Sequence, residues 1–241
     1  LEFLGRGGKR LRPRLCRRVF GICGGTGAIE PVCDAVECFH KASLIHDDIQ
    51  DGDEERYGRP TTWKEHGVGV AIAARVGVNG YRVLDLDLDG VCADYSGALR
   101  DWLVAHGYRL IMKSGFPSAA SMLEAVVESH VRLCEGQGDD LLELEATPLA
   151  LASGGAFDRA GYLSTCARKT GEAFALAAQL GARAAGADDA PYRRFGLTYG
   201  ILFQINDDLA DGTSSPELLR LRAEYEHRLA ADPVAARVEI P

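Results

Sequence analysis

Hydrophobic residues recur every three to four positions along most of the chain, which is the spacing of an amphipathic helix. The pattern predicts long helices over 31–51, 118–145, 158–185 and 192–211, and a last one from Pro216 to about Ala231. Pro31 suits the first turn of a helix, whereas Gly58-Arg59-Pro60 interrupts the pattern. Strand-like alternation is scarce. We therefore predict an all-α fold in which residues 1–241 form a single domain.

Two stretches do not fit the helical pattern. Val68–Val78 is ambiguous between helix and strand, and Asp85-Leu-Asp-Leu-Asp89 alternates like a strand or an exposed turn. We interpret the acids of the second stretch as a solvated surface, which is the usual role of such charge runs.

Composition and charge narrow the possible classes of protein. The 241 residues are 46% hydrophobic, which allows a large core, and the formal net charge of -8 argues against a general nucleic-acid binder. No segment reaches the roughly 18 uninterrupted apolar residues of a membrane span, and residues 1–20 lack the apolar stretch of a signal peptide. The seven cysteines form no CxxC pair, so we interpret them as reduced core residues and expect a cytoplasmic protein.

A short acidic motif occurs twice in the chain. The copies are Asp47-Asp48-Ile49-Gln50-Asp51 and Asp207-Asp208-Leu209-Ala210-Asp211. In each copy the first and last aspartates are four residues apart, so on a helix they lie one turn above each other. Both copies follow apolar sequence, where clustered carboxylates need a nearby cation or a raised pKa.

The aspartates of both copies are hard oxygen ligands of the kind that suit Mg²⁺, which keeps several waters and bridges to substrate phosphates. Two such helices predict a diphosphate between them, whose departure the metal assists as a carbon–oxygen bond breaks. Apolar helix faces beyond the metal would shield a carbocation from water. The competing interpretation is a pair of ordinary charged helix ends, and the repetition of the motif after apolar helices argues against it. A calcium loop is disfavoured because its ligands would alternate around a glycine turn.

Five segments, in order, resemble motifs of the polyprenyl synthetase family, the trans-isoprenyl diphosphate synthases. They are Gly7-Gly-Lys-Arg-Leu-Arg-Pro13, the segment Glu37–Asp48, Gly58-Arg-Pro-Thr-Thr62, Arg168-Lys-Thr-Gly171 and the segment Gly200–Asp211. The resemblance implies an all-α bundle around a deep central cavity, of the isoprenoid synthase type. It also implies a homodimer that condenses an allylic prenyl diphosphate with isopentenyl diphosphate.

The resemblance assigns roles to individual residues. The ligands of three Mg²⁺ ions with the diphosphate would be Asp47, Asp48, Asp51, Asp207, Asp208 and Asp211. The allylic diphosphate would contact Arg56, Lys169, Thr170 and Gln204, and isopentenyl diphosphate would contact Lys9, Arg12 and His40. These assignments agree with the general preference of phosphate oxygens for Arg and Lys.

Product length is the third property that the resemblance addresses, because residues before the first aspartate motif line the pocket for the growing tail. Ala42 and Ser43 are small and leave the pocket open near the metals. Phe39 lies eight residues before Asp47, deeper along a helix that rises about 1.5 Å per residue, and would close the pocket there. We therefore expect a product of about C20 to C25 rather than C15.

The sequence departs from the family pattern in three places. Tyr57 replaces the second of two adjacent arginines, the one that normally contacts isopentenyl diphosphate. The segment Ala74–Asn79 lacks an expected Gly-Asp pair, and Asp211 runs into Gly212-Thr-Ser-Ser-Pro216 without the family's lysine-bearing loop.

Two other functions stay open. One is ionisation of an allylic diphosphate for a different acceptor or for cyclisation, and the other is a noncatalytic regulatory subunit, which the two intact aspartate motifs argue against.

Overall fold

The computed structural model describes residues 8–66, 96–152, 157–210 and 215–238, and these ranges are almost entirely helical. The helices are α1 (Leu11–Ile22), α2 (Glu30–Asp51), α3 (Thr62–His66), α4 (Ser96–Met112), α5 (Ala119–Ala152), α6 (Arg159–Cys166), α7 (Glu172–Ala184), α8 (Ala190–Ala210), α9 (Pro216–Ala230) and α10 (Ala235–Val238). A π-helical turn, Ala167–Gly171, joins α6 to α7. Two-residue strands, β1 (Glu55–Arg56) and β2 (Arg59–Pro60), pair antiparallel. The predicted all-α fold is confirmed.

The predicted helices are all present within a few residues of their predicted bounds, except that α5 extends to Ala152. The π-helical turn interrupts the helix predicted over 158–185. The sequence pattern predicts neither α1 nor α4. Four stretches discussed above lie outside the described residues, namely Val68–Val78, Ala74–Asn79, Asp85–Asp89 and 211–214. In the ranges that the structure describes, no helix is both long and apolar enough to cross a membrane.

Side-chain caps fix where two of the helices begin. The Oδ1 atom of Asp158 accepts from the backbone N–H groups of Ala160 and Gly161, at 3.0 and 3.1 Å, and so starts α6. The Oγ atom of Ser215 accepts from the N–H of Leu218 at 3.1 Å, and Pro216 follows it in the first turn of α9. Helices α6 and α9 therefore begin at residues that their caps define.

The chain divides into two compact units, Leu1–Arg10 with Asp34–Ile111 and Leu11–Cys33 with Met112–Pro241. The second unit is built around α7, which packs against α1, α5 and α8. On α7 a side chain at Gly181 would collide with the backbone carbonyl of Cys16 on α1, so glycine permits this close helix contact. The single-domain interpretation of residues 1–241 stays a prediction.

A buried carboxylate ties three helices of the second unit together. Glu172 at the start of α7 is 3% exposed. Its Oε1 accepts from Nε of Arg132 on α5 at 2.9 Å, and its Oε2 accepts from Nη2 of Arg193 on α8 at 2.8 Å. Breaking one partner of a buried ion pair typically costs about 3 to 5 kcal/mol. Glu172 therefore holds α7 in register with α5 and α8 next to the π-helical turn.

The first unit has its own apolar cluster between α2 and α4. Its buried members are Cys38, Ala42, Ile45 and Leu103. Phe39 also faces α4, where its ring lies against Gly107 and 5.5 Å from the ring of Tyr108. The last turn of α2, which bears the first aspartate motif, is thus anchored by the apolar residues that precede it.

Candidate active site

The first aspartate motif forms the last turn of α2. Asp48 is buried, Asp47 is half-buried and Asp51 is exposed. The three carboxylates therefore differ in their exposure to water, although they lie on one helical turn. Only Asp48 therefore bears the full cost of desolvation.

Asp48 has the cationic partner that clustered carboxylates need. Arg56 on β1 donates from Nε to Oδ1 of Asp48, and its Nη2 lies 3.5 Å from Oδ2 of Asp53. Burial raises the pKa of Asp48, as do the charges of Asp53 and Asp51, and Arg56 offsets only part of this effect. The predicted phosphate-binding arginine therefore lies directly beside the predicted metal ligands, where a phosphate oxygen would compete for its guanidinium.

Tyr57 begins the two-residue loop of the hairpin formed by β1 and β2. Its φ is +56° and that of Gly58 is +72°, both positive as a type I′ turn requires. The side chain of Tyr57 is largely exposed, yet Nζ of Lys41 on α2 lies 5.6 Å from the centroid of its ring. Lys41 is a site candidate that sequence reasoning missed. Its signal in the sequence is that it is the one lysine or arginine of α2, four residues after Glu37.

The residues predicted to bind isopentenyl diphosphate fall in both units. Lys9 is exposed, and His40 is half-buried on α2. Arg12 belongs to the second unit, where its guanidinium carbon lies 4.5 Å from the centroid of the Phe174 ring on α7. Such stacking restricts the orientation of the guanidinium, which is the group that phosphate oxygens prefer.

Lys169 and Thr170 lie on the π-helical turn between α6 and α7. A π turn inserts an extra residue into a helix, which rotates the side chains on either side of it, and such turns occur frequently at functional sites. Thr170 is buried, and its hydroxyl donates to Oε1 of Gln204 on α8. Lys169 is half-buried on the same turn. The turn therefore brings two predicted phosphate-binding residues against the helix that carries the second aspartate motif.

A hydrogen-bonded series joins the second aspartate motif to this turn. Thr170 donates to Gln204, and Nε2 of Gln204 in turn donates to Oδ1 of Asp208 at 2.8 Å. The other oxygen of Asp208, Oδ2, accepts from the hydroxyl of Tyr162 on α6. Both oxygens of the Asp208 carboxylate are thus held in place. We call these four residues, Thr170, Gln204, Asp208 and Tyr162, the Asp208 relay.

Tyr162 is a further residue that sequence reasoning missed. Burial raises the pKa of its hydroxyl, and the hydrogen bond to Asp208 raises it further, so Tyr162 stays protonated as a donor. The signal in the sequence is a tyrosine within the helix predicted over 158–185, seven residues before Lys169. The other members of the second aspartate motif are Asp207, which is exposed, and Asp211, which lies outside the described residues.

Each aspartate motif, taken by itself, offers oxygen ligands that suit a magnesium ion shared with a substrate. Within the described residues, no three His, Cys, Asp or Glu side chains gather closely enough to hold a metal on their own. Mg²⁺ in phosphate-binding sites usually takes one or two carboxylates and completes its shell with substrate oxygens and water. The aspartates of α2 and α8 offer oxygen ligands only, which matches that preference.

The three predicted chain-length residues lie within about one turn of α2. Phe39 and Ala42 are buried, whereas Ser43 is exposed and donates from Oγ to the carbonyl of His40 at 2.8 Å. Ala42 packs in the apolar cluster with Leu103, and Phe39 packs against α4. The role of these residues in setting product length stays a prediction.

Replacing Tyr162 with phenylalanine should lower turnover about tenfold, because a hydrogen bond to a charged carboxylate is lost. The Mg²⁺ concentration needed for half-maximal turnover should rise as well, because the Asp208 carboxylate loses one of the two hydrogen bonds that fix its orientation. Steady-state kinetics at a series of Mg²⁺ concentrations measures both effects. Tyr225→Phe is the control, because Tyr225 is a buried tyrosine of the same apolar cluster. Equal losses in the two variants would contradict the positioning role of Tyr162.

Comparison with known proteins defines the class to which this fold and site belong. The chain matches the family model described as polyprenyl synthetase over residues 2–80 and 98–221. The chain therefore belongs to the polyprenyl synthetase family, and the resemblance inferred from its motifs is confirmed.

The matches to curated relatives include most of this chain but only part of each relative. It is 34% identical to a geranylgeranyl diphosphate synthase of Mycobacterium tuberculosis over 85% of this chain and 51% of the relative. It is 31% identical to a geranylfarnesyl diphosphate synthase of Aeropyrum pernix over 90% of this chain and 62% of the relative. The chain thus spans about half to three-fifths of the length of these proteins.

Solved structures show the same fold. A geranylgeranyl pyrophosphate synthase matches with a TM-score of 0.66 at 25% identity, over 89% of this chain and 57% of that protein. An isoprenoid synthase family member from Thermotoga neapolitana matches with a TM-score of 0.71 at 24% identity, over 98% and 85% of the two chains. The second match bears on the fold alone.

Proposed function

We propose that this chain is a Mg²⁺-dependent prenyltransferase that condenses an allylic prenyl diphosphate with isopentenyl diphosphate. The product would be a prenyl diphosphate of about C20 to C25, in the range of the products for which two relatives are named. The observation that carries the proposal is the Asp208 relay, which joins a metal-binding carboxylate to the turn that bears Lys169. A carboxylate for a metal and a cation for phosphate oxygens are the groups that a departing diphosphate needs.

The reaction breaks the bond between the allylic C1 and its oxygen, and pyrophosphate leaves with the electron pair. The double bond of isopentenyl diphosphate then attacks C1, and the proton lost from the neighbouring carbon goes to pyrophosphate. Bound Mg²⁺ would supply neutralisation of the leaving group's charge. Lys169 and Arg56 bind phosphate oxygens in this scheme, Gln204 and Thr170 orient Asp208, and Lys9, Arg12 and His40 bind the acceptor.

Incubation with labelled isopentenyl diphosphate and each of three allylic primers, dimethylallyl, geranyl and farnesyl diphosphate, tests the proposal directly. The expected result is a labelled prenyl diphosphate, with no product in the presence of EDTA. Release of pyrophosphate from the primer without incorporation of label would favour cyclisation or another acceptor. Absence of any reaction with every primer would favour a noncatalytic subunit.

Phe39→Leu is expected to lengthen the product by at least one five-carbon unit, because the smaller side chain no longer closes the proposed pocket. Chromatography of the dephosphorylated products measures the chain length. Phe20→Leu is the matched control, because Phe20 is also buried and its ring centroid lies 5.6 Å from that of Phe116. Both variants should lose about 1 kcal/mol of stability. An unchanged product from Phe39→Leu would show that Phe39 is only a core residue.

We also propose that the protein is a homodimer in the cytoplasm. Val127 and Val131 lie one turn apart on α5 and are each 53% exposed, which supports an apolar contact with a second chain. One relative is named as the large subunit of a heterodimeric geranylgeranyl pyrophosphate synthase of Arabidopsis thaliana, so a different partner chain is the alternative. Light scattering of the purified chain should give twice the monomer mass, and a monomer would contradict the homodimer.

A further inference from the structure

The backbone conformation of the hairpin loop does not favour a tyrosine at position 57. Type I′ turns favour Asn, Asp or Gly at this position, because those residues tolerate a positive φ. Tyr57 adopts a φ of +56° and therefore carries backbone strain that an asparagine would largely avoid. Strained residues of this kind concentrate at sites where the side chain has another task.

The hydroxyl of Tyr57 reaches the segment that carries Lys9. An ideal Cβ atom built on Gly8 would lie 3.5 Å from Oη of Tyr57, so the hydroxyl sits beside the backbone next to Lys9. The side chain is 59% exposed, which leaves it accessible to a ligand. Tyr57 therefore places a hydrogen-bond donor close to a lysine that is proposed to bind the acceptor diphosphate.

Lys41 brings positive charge beneath the ring. It is 3% exposed, and its Nζ lies 5.6 Å from the ring centroid of Tyr57, within the range of a cation–π contact. Burial lowers the pKa of Lys41, Glu37 raises it, and Arg10 and Arg56 lower it further. Glu37 is itself shared with Arg10, whose Nε lies 4.0 Å from Oε1. The carboxylate of Glu37 therefore acts on both Lys41 and Arg10, whereas Arg56 is paired with Asp48 and Asp53.

From this geometry we propose that Tyr57 donates its hydroxyl to a diphosphate oxygen of the isopentenyl acceptor, and that Lys41 is its positioning residue. The inference rests on the proposed function of the chain. Lys41 holds the ring by its cation–π contact, and its charge draws on the ring electrons and strengthens the hydroxyl as a donor. Tyr57 and Lys41 form a matched pair, because an arginine at position 57 would meet the buried ammonium of Lys41.

Calorimetric titration with isopentenyl diphosphate in EDTA tests the pair, since chelation keeps metal-dependent binding out of the signal. Tyr57→Phe should raise the Kd about tenfold, because one hydrogen bond to a charged oxygen is lost. Lys41→Met should raise it about three- to tenfold, and adding Lys41→Met to Tyr57→Phe should cost little more. Inorganic pyrophosphate should show the same losses, because the contact is to the diphosphate. Lys64→Met is the control, since Lys64 also lies 5.9 Å from a ring centroid, that of Trp63.

The charge exchange gives the sharpest outcome. Tyr57→Arg alone should weaken binding, and Lys41→Met in the same chain should restore it to the level of the unchanged protein or better. Tighter binding by Tyr57→Arg alone, or an unchanged Kd in Tyr57→Phe, would overturn the inference. Circular dichroism checks that each variant is folded, and the two Tyr57 variants still decide the question if Lys41→Met does not fold.

These results separate the inference from the proposed function. In one outcome, the unaltered chain binds isopentenyl diphosphate but does not elongate a primer, and the variants lose that binding. This outcome would support the Tyr57–Lys41 pair and contradict the transferase. If the variants elongate a primer and their Kd for isopentenyl diphosphate is unchanged, the transferase is supported and the Tyr57–Lys41 pair is contradicted. An unaltered chain that fails to bind isopentenyl diphosphate would overturn both.

Discussion

Asp47→Asn and Asp207→Asn should each lower turnover by about a thousandfold, which is the scale seen when a group that stabilises developing charge is removed. An asparagine keeps the shape of the side chain but brings a neutral amide, which is a poor ligand for Mg²⁺. Asp47 is half-buried and Asp207 is exposed, so neither replacement leaves a large gap in the core. Turnover of the labelled substrates measures the effect, and thermal melting should be nearly unchanged.

Asp34→Asn is the matched control for the first of these variants, because Asp34 is an exposed aspartate on α2 that lies outside the motif. It should keep full activity. Addition of EDTA to the unaltered protein should reproduce the loss seen in the motif variants. Full turnover in EDTA, or near-normal turnover of either motif variant, would refute the proposed role of the aspartates.

The parts of the site that the sequence could predict are those whose chemistry lies in a contiguous motif. Two aspartates four apart on a helix lie one turn above each other regardless of the rest of the fold, and the structure puts the first motif on the last turn of α2. Arg56 beside Asp48 also satisfies the general requirement that clustered carboxylates have a cation. Helices α2, α5, α8 and α9 were predictable because their apolar spacing is regular.

The unpredicted parts depend on local backbone geometry that periodicity does not encode. Tyr162 on α6 contacts Asp208 on α8 just before the π-helical turn interrupts the helix, and nothing in the spacing of apolar residues predicts such a turn. Lys41 contacts Tyr57 in a hairpin loop whose positive φ values are not visible in the sequence pattern. Helix α1 buries Leu15 and Val19, but its several arginines obscure the apolar stripe.

Close contacts between helices are also not predictable from the sequence pattern. Gly196 and Gly200 would be expected to destabilise a helix, and only their neighbours in the structure explain why glycine is needed there. Both lie on one face of α8, four residues apart, against the π-helical turn and the start of α7. A Cβ atom on Gly196 would lie 2.6 Å from the carbonyl oxygen of Phe174. On Gly200 it would lie 2.7 Å from Cα of Gly171 and 3.1 Å from the carbonyl oxygen of Thr170. The neighbouring atoms are mostly backbone, which cannot move aside as a flexible side chain does.

Gly200→Ala should therefore destabilise the protein, although alanine is the better helix former. The helix preference favours alanine by about 1 kcal/mol, whereas forcing the two backbones apart costs about 1 to 3 kcal/mol or more. The same displacement would move Gln204 away from Thr170, so turnover should fall further than the stability loss explains. Urea unfolding and turnover below the melting range measure the two effects. Gly21→Ala is the control, because a Cβ there meets nothing within 4 Å, and it should be neutral or stabilising. A Gly200→Ala protein as stable and active as Gly21→Ala would show that α8 can shift without disturbing the Asp208 relay.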